Sequence, residues 1–127
     1  RGKAKTFVIG DAAMNDLVRP TLYDAYHEIK PVDERPAGAD LEKVDVVGPV
    51  CESGDYLARD RNLPVARPGE LLAVFSAGAY GAVQSGTYNS RLLVPEVLVD
   101  GDRWAVVRPR PSYDDLIGLD HVPDWLI

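Results

Sequence analysis

Short apolar runs, broken every few residues by proline or glycine, set the pattern of this chain. Residues 6–10, 43–50, 71–76, 91–99 and 103–108 are rich in valine, leucine and isoleucine, and each predicts a strand. The run at 43–50 is interrupted at Gly48-Pro49, and the run at 71–76 reads as buried. Residues 26–32 alternate loosely and predict a further strand, which Pro31 pushes to an edge because proline cannot donate to a ladder. Asp100-Gly101-Asp102 joins the last two strands as a hairpin, Asp-Gly being suited to a type I′ turn. Residues 33–40 carry Pro36, Gly38 and several charges and read as a solvated loop.

Helical signals are brief. Residues 12–23 are irregular, with a helical turn that Pro20 either ends or opens. Asp55 is placed to cap a helical turn over residues 56–61, and Ser112 to cap another over 113–117. Trp125, Leu126 and Ile127 are expected to pack back on a surface. Proline costs about 3 kcal/mol inside a helix, so ten prolines nearly exclude long helices. The pattern predicts a mainly all-β domain, a barrel or sandwich with short helical turns, over residues 1–127.

Composition narrows the function classes. The chain has 127 residues, 46% hydrophobic and 27% charged, a balance that suits one domain with one core. A net charge of −6 repels phosphate backbones and argues against nucleic acid as a partner. No apolar run approaches the roughly 20 residues that span a bilayer. A single cysteine cannot form an internal disulfide, so a reducing cytoplasm is the expected setting. His27 and His121 lack ligand spacing, and no metal is expected.

Four segments look unlike plain strand filling. In the first, Arg19 and Tyr23 lie four apart around Pro20. On one helical turn both would face the same side, and a guanidinium with a phenol suits a carboxylate. The alternative is a surface arginine lying over a tyrosine. In the second, Gly48-Pro49-Val50-Cys51-Glu52-Ser53-Gly54-Asp55 puts a thiol beside a carboxylate where a strand ends. A thiol of reference pKa about 8.5 can donate a proton near neutrality, and Glu52 could bind an ammonium group. The alternative makes Cys51 a small buried hydrophobe and Glu52 a solvated turn residue. In the third, Ser76-Ala77-Gly78-Ala79-Tyr80-Gly81 surrounds one large side chain with small ones, so Tyr80 is either a ligand contact or a core tyrosine. The fourth, residues 85–91, reads as a polar turn with Asn89 left-handed. No nucleophilic triad or nucleotide-binding loop can be assembled.

Taken in order, Asp11-Ala12-Ala13-Met14-Asn15-Asp16-Leu17, Arg19-Pro20 to Tyr23, Gly48 to Asp55, Ala77 to Gly81, Tyr88-Asn89-Ser90-Arg91 and Glu96 to Gly101 resemble the C-terminal β-domain of diaminopimelate decarboxylases. The resemblance covers roughly residues 7–116, and Cys51-Glu52-Ser53-Gly54-Asp55 is its most specific part. It implies a pyridoxal-phosphate (PLP) enzyme of lysine biosynthesis that removes the D-centre carboxylate of meso-diaminopimelate, giving L-lysine and CO₂. It also implies a homodimer with active sites at the subunit interface. By that resemblance Cys51 supplies the proton to Cα and Glu52 contacts the distal end of the substrate, both across the interface. Arg19 and Tyr23 hold the distal carboxylate, and Tyr80 touches cofactor and substrate.

Arg91-Leu92-Leu93 stands where many members have arginine-proline-arginine, a strand position of little expected chemical effect. The family's PLP-binding α/β barrel, with its Schiff-base lysine and glycine-rich phosphate site, has no counterpart among these residues, and Lys3, Lys5, Lys30 and Lys43 match none of its roles. This stretch is therefore expected to be a piece of a longer decarboxylase, to hold no PLP and to turn over nothing by itself. The family's β-domain also borrows an N-terminal strand, so an open sheet edge is expected here. Two rival readings are a sibling decarboxylase acting on ornithine, arginine or carboxynorspermidine, and a non-catalytic dimerisation or binding β-domain.

Overall fold

Clustered β-branched residues favour extended backbone, as in the valine-rich run at 44–47. The computed structural model describes residues 5–127. These divide into two compact units, the first ending at Ser85 and the second running Gly86–Ile127.

The first unit contains strands β1 (Thr6–Ile9), β2 (Ile29–Pro31), β3 (Leu41–Val47), β4 (Tyr56–Pro64) and β5 (Leu72–Val74), with helices α1 (Arg19–Tyr23) and α2 (Ala79–Gln84). β1 runs parallel to β3, Thr6 opposite Val44 and Ile9 opposite Val47. β3 runs antiparallel to β4, giving a sheet of order β1-β3-β4. β2 and β5 form a separate antiparallel pair, so Pro31 does sit on a strand paired on one side only. The core is Leu17, Ile29, Val44, Val46, Leu57, Ala58 and Leu63, with Val8, Leu72 and Val74 packed against it. Burial of each of these larger side chains contributes about 1.5–3 kcal/mol.

Three expectations are corrected here. Residues 56–61 are not a capped helical turn but the first part of β4. The open edge of β3 offers a full ladder, and tertiary pairing overrides the weak local helix signal. Residues 71–76 give only the three half-buried positions of β5, because Ser76 turns into the left-handed region at φ 54° and ends the strand. The strands make one three-stranded and two two-stranded sheets, so the described residues form no closed barrel. Pro20 opens α1 rather than ending it, and Asp24 at φ 55° closes it.

A bulge marks the centre of the β3–β4 pair. Val44 faces Arg61 and Val46 faces Ala58, so Asp45 opposes both Arg59 and Asp60. Asp60 takes φ 51°, and its N–H donates to Asp45 at 2.7 Å. The Lys5 ammonium donates to the other Asp45 oxygen, also at 2.7 Å. Burial disfavours the charged form of Asp45, but these two hydrogen bonds outweigh it and hold the carboxyl below its ordinary value of 3.8. Lys5 is raised, chiefly by the same bond. A depressed carboxyl stabilises the fold fully above its unfolded value, and that contribution is lost as pH falls through the folded one. Urea midpoints measured against pH are therefore expected to decline below about pH 4, and Asp45→Asn to flatten part of that decline. An unchanged pH profile would show that the Asp45 contacts carry no stability.

The second unit holds β6 (Glu96–Asp100), β7 (Arg103–Arg108) and helix α3 (Tyr113–Ile117). β6 begins at Glu96 rather than at residue 91, immediately after Pro95, which has no N–H for a ladder. β6 and β7 pair antiparallel through the expected hairpin. Its turn differs in type. Gly101 takes φ 63° while Asp102 stays out of the positive region, the signature of a II′ turn rather than I′. Ser112 caps α3 as expected and forms a reciprocal capping box with Asp115. Asn89 is left-handed at φ 58°. Trp125, Leu126 and Ile127 do not pack back: they are 84%, 70% and 93% exposed, in a terminal turn too short to bury a face.

Candidate functional site

Pro20 fixes the first turn of α1, and one helical turn later Tyr23 lies on the same face as Arg19. α2 starts after the small residues Ala77-Gly78 and carries Tyr80 and Gln84 one turn apart. The two helices meet through their side chains. The Arg19 guanidinium lies 5.7 Å from the centre of the Tyr80 ring, a cation–π distance. Gln84 Nε2 donates to Tyr23 Oη at 3.1 Å. Tyr23 and Tyr80 remain more than half exposed. A planar cation and a phenol thus stand together at the surface, the donor set that fits a carboxylate.

The Cys51 turn is built differently. Asp55 is buried, and its carboxylate accepts from Met14 N at 2.7 Å and Val50 N at 2.6 Å. It braces a loop instead of capping a helix. A Cβ on Gly48 would sit 2.5 Å from an Asp55 oxygen and 2.7 Å from the Ala12 carbonyl, so only glycine lets these three segments close up. The braced turn leaves Cys51 exposed, which overturns the buried-hydrophobe alternative. Glu52 is exposed too, and its Oε1 accepts from Ser53 Oγ at 3.2 Å and Gly54 N at 3.3 Å.

Two contacts tie the turn to α1. Thr21 Oγ1 donates to the Gly54 carbonyl, and Tyr56 Oη donates to the Pro20 carbonyl at 3.2 Å. A Cβ at Gly54 would lie 2.9 Å from the Thr21 methyl. The structure thus brings Arg19, Tyr23 and Tyr80 together and sets Cys51 and Glu52 on an adjoining braced turn. Sequence reasoning missed Gln84, Thr21 and the bracing role of Asp55. The four-residue spacing of Tyr80 and Gln84 was the available signal for Gln84, once residues 79–84 are taken as helix.

These residues fit a PLP enzyme only as a contact face. Among the described lysines, Lys5 pairs with Asp45 at 2.7 Å, Lys30 with Glu28 at 2.9 Å and Lys43 with Asp60 at 3.2 Å. None stands with Tyr80 and Arg19, so the described residues offer no Schiff-base lysine at this site. Among the described residues no group of His, Cys, Asp and Glu could hold a metal, and no helix is long and apolar enough to cross a membrane.

A family model described as the C-terminal sheet domain of pyridoxal-dependent decarboxylases matches residues 1–78. The diaminopimelate decarboxylase of Zymomonas mobilis is 52% identical over 124 residues, covering 98% of this chain and 29% of that protein. That of Archaeoglobus fulgidus is 51% identical over 123 residues, covering 97% and 29%. The crystal structure of diaminopimelate decarboxylase from M. jannaschii in complex with L-lysine superposes with a TM-score of 0.91 at 37% identity, over 100% of this chain and 29% of that one. The chain spans under a third of the length of the relatives it matches. It belongs to the C-terminal sheet domain family of the pyridoxal-dependent decarboxylases.

Proposed function

We propose that this chain is the substrate-contacting part of a diaminopimelate decarboxylase, the enzyme that converts meso-diaminopimelate to L-lysine and CO₂. The carrying observation is the half-buried Arg19 and the exposed Tyr23 on α1 beside Tyr80, on a chain about half identical to enzymes of that name. PLP, held by the remainder of the complete enzyme, supplies the electron sink for decarboxylation. This chain supplies orientation and a proton. Arg19 and Tyr23 bind the distal carboxylate, which fixes the end of the substrate that must not react. Tyr80 packs against substrate and cofactor. Glu52 binds the distal ammonium group. Cys51 Sγ–H delivers a proton to the carbon that has lost its carboxylate. Cys51 and Glu52 do this at the active site of a partner subunit, which their exposed turn permits.

Arg19→Ala in the complete enzyme tests the reading. Loss of a charged hydrogen-bonding partner removes about 1.5–3 kcal/mol, so kcat/KM for meso-diaminopimelate is expected to fall roughly 10- to 100-fold. A substrate without a distal carboxylate should be indifferent to the change. If the wild-type enzyme prefers ornithine or arginine to meso-diaminopimelate, the sibling-decarboxylase reading replaces this one.

A further inference from the structure

The Gln84 amide spans from α2 to α1 and donates to the oxygen of the Tyr23 phenol at 3.1 Å, across 61 residues of sequence. A tyrosine hydroxyl has one proton to donate and can also accept. When its oxygen accepts from Gln84, its own O–H is left to point elsewhere, and Tyr23 is more than half exposed toward solvent. The other end of the amide is informative. Gln84 Oε1 is buried with no hydrogen-bond partner among the described residues. A buried carbonyl without a partner costs stability, and an apolar side chain of the same length would pack there without that cost. Folding alone does not call for an amide at this position.

We infer that Gln84 is a positioning residue that sets Tyr23 as a hydrogen-bond donor and so gives the site its preference for a carboxylate-bearing substrate. The inference rests on the proposed function and deepens it. Gln84 does not touch substrate. It acts through Tyr23, by occupying the phenol oxygen and fixing the direction of the hydroxyl proton. A carboxylate in place of the amide would reverse the polarity: it would accept the Tyr23 proton and add a negative charge beside the clamp.

The experiment is a double-mutant cycle in the complete enzyme with meso-diaminopimelate, accompanied by NMR of protein labelled with 13C at tyrosine Cζ. Gln84→Met is expected to raise KM about fivefold with kcat within about twofold, an interaction on the scale of one hydrogen bond. Gln84→Glu should raise KM more, by at least about 20-fold, since repulsion is added to the lost donor. In a Tyr23→Phe background, Gln84→Met should add nothing, because the group it acts through is gone. The Tyr23 Cζ resonance, assigned by its absence in Tyr23→Phe, should move in both Gln84 variants. A residue that merely packs would leave that resonance in place, and its effect would multiply with that of Tyr23→Phe. An unchanged KM in Gln84→Met, independent effects in the cycle, or an unmoved Tyr23 resonance each overturns the inference. A wild-type enzyme that ignores meso-diaminopimelate, with the Tyr23 resonance still moved in both Gln84 variants, overturns the substrate assignment alone and leaves the Gln84–Tyr23 coupling standing.

Discussion

Replacing Cys51 with alanine in the complete decarboxylase is expected to lower kcat about 10²- to 10³-fold, the range for loss of one positioned proton donor. Cys51 is exposed at the tip of a turn held from below by a buried carboxylate, so the substitution removes a thiol and no packing. Stability should therefore stay within about 0.5 kcal/mol of wild type, as for surface changes elsewhere. Cys51→Ser should not restore the rate, because an alcohol is a far weaker acid than a thiol. Steady-state lysine release measures the first effect, and sedimentation of wild type and variant shows whether the proposed dimer is present and unchanged. A full rate with alanine at position 51 would take the thiol out of the chemistry and favour the reading of this chain as a dimerisation or binding domain.

Asp55→Ala is expected to be the most damaging single change to the fold of the site, at about 3–6 kcal/mol. Its two oxygens accept from Met14 N and Val50 N, and each charged hydrogen bond contributes about 1.5–3 kcal/mol. Alanine leaves both donors without that partner and opens a space against Gly48, whose missing side chain exists to admit the carboxylate. The loss should appear as a lower urea midpoint with an unchanged slope. Asp102→Ala, on the exposed hairpin turn, is the control and should stay within about 0.5 kcal/mol. Activity should fall together with stability, because the same carboxylate sets the base of the Cys51 turn. If Asp55→Ala melts like Asp102→Ala, the brace is not what holds the turn.

Strands marked by dense valine, such as β3, were legible in the sequence, as were the hairpin at Gly101 and the N-cap at Ser112. Each rests on neighbours in sequence. What escaped was set by partners far along the chain. β4 reads locally as a polar stretch behind a capping aspartate, and becomes a strand because β3 offers it a ladder. Asp55 looks like a cap because one of its two targets, Met14, lies 41 residues away and is invisible to local pattern. Trp125 and Ile127 carry the apolar character of a packed end yet lie exposed, since hydrophobicity alone does not name a surface to cover it.

Of the candidate site, the arginine–tyrosine spacing on α1 was readable from Pro20 and the helical repeat, and the structure places Tyr80 over Arg19. The exposure of Cys51 was not readable, because a lone cysteine is most often buried. Nor was Gln84, whose role appears only when two short helices are brought side by side.

That pairing has an entropic consequence. The Tyr23–Gln84 bond closes a loop of 61 residues, and the Lys5–Asp45 contact one of 40, whereas the β6–β7 turn closes almost none. Each doubling of loop length adds about 0.6 kcal/mol to the cost of closure. The proposed substrate clamp is thus among the contacts whose formation restricts the chain most, and it depends on the rest of the first unit being in place. Its geometry reports on the integrity of that whole unit, so on the proposed function lesions far from Arg19 and Tyr23 that loosen the sheet are expected to be felt first as poorer substrate binding.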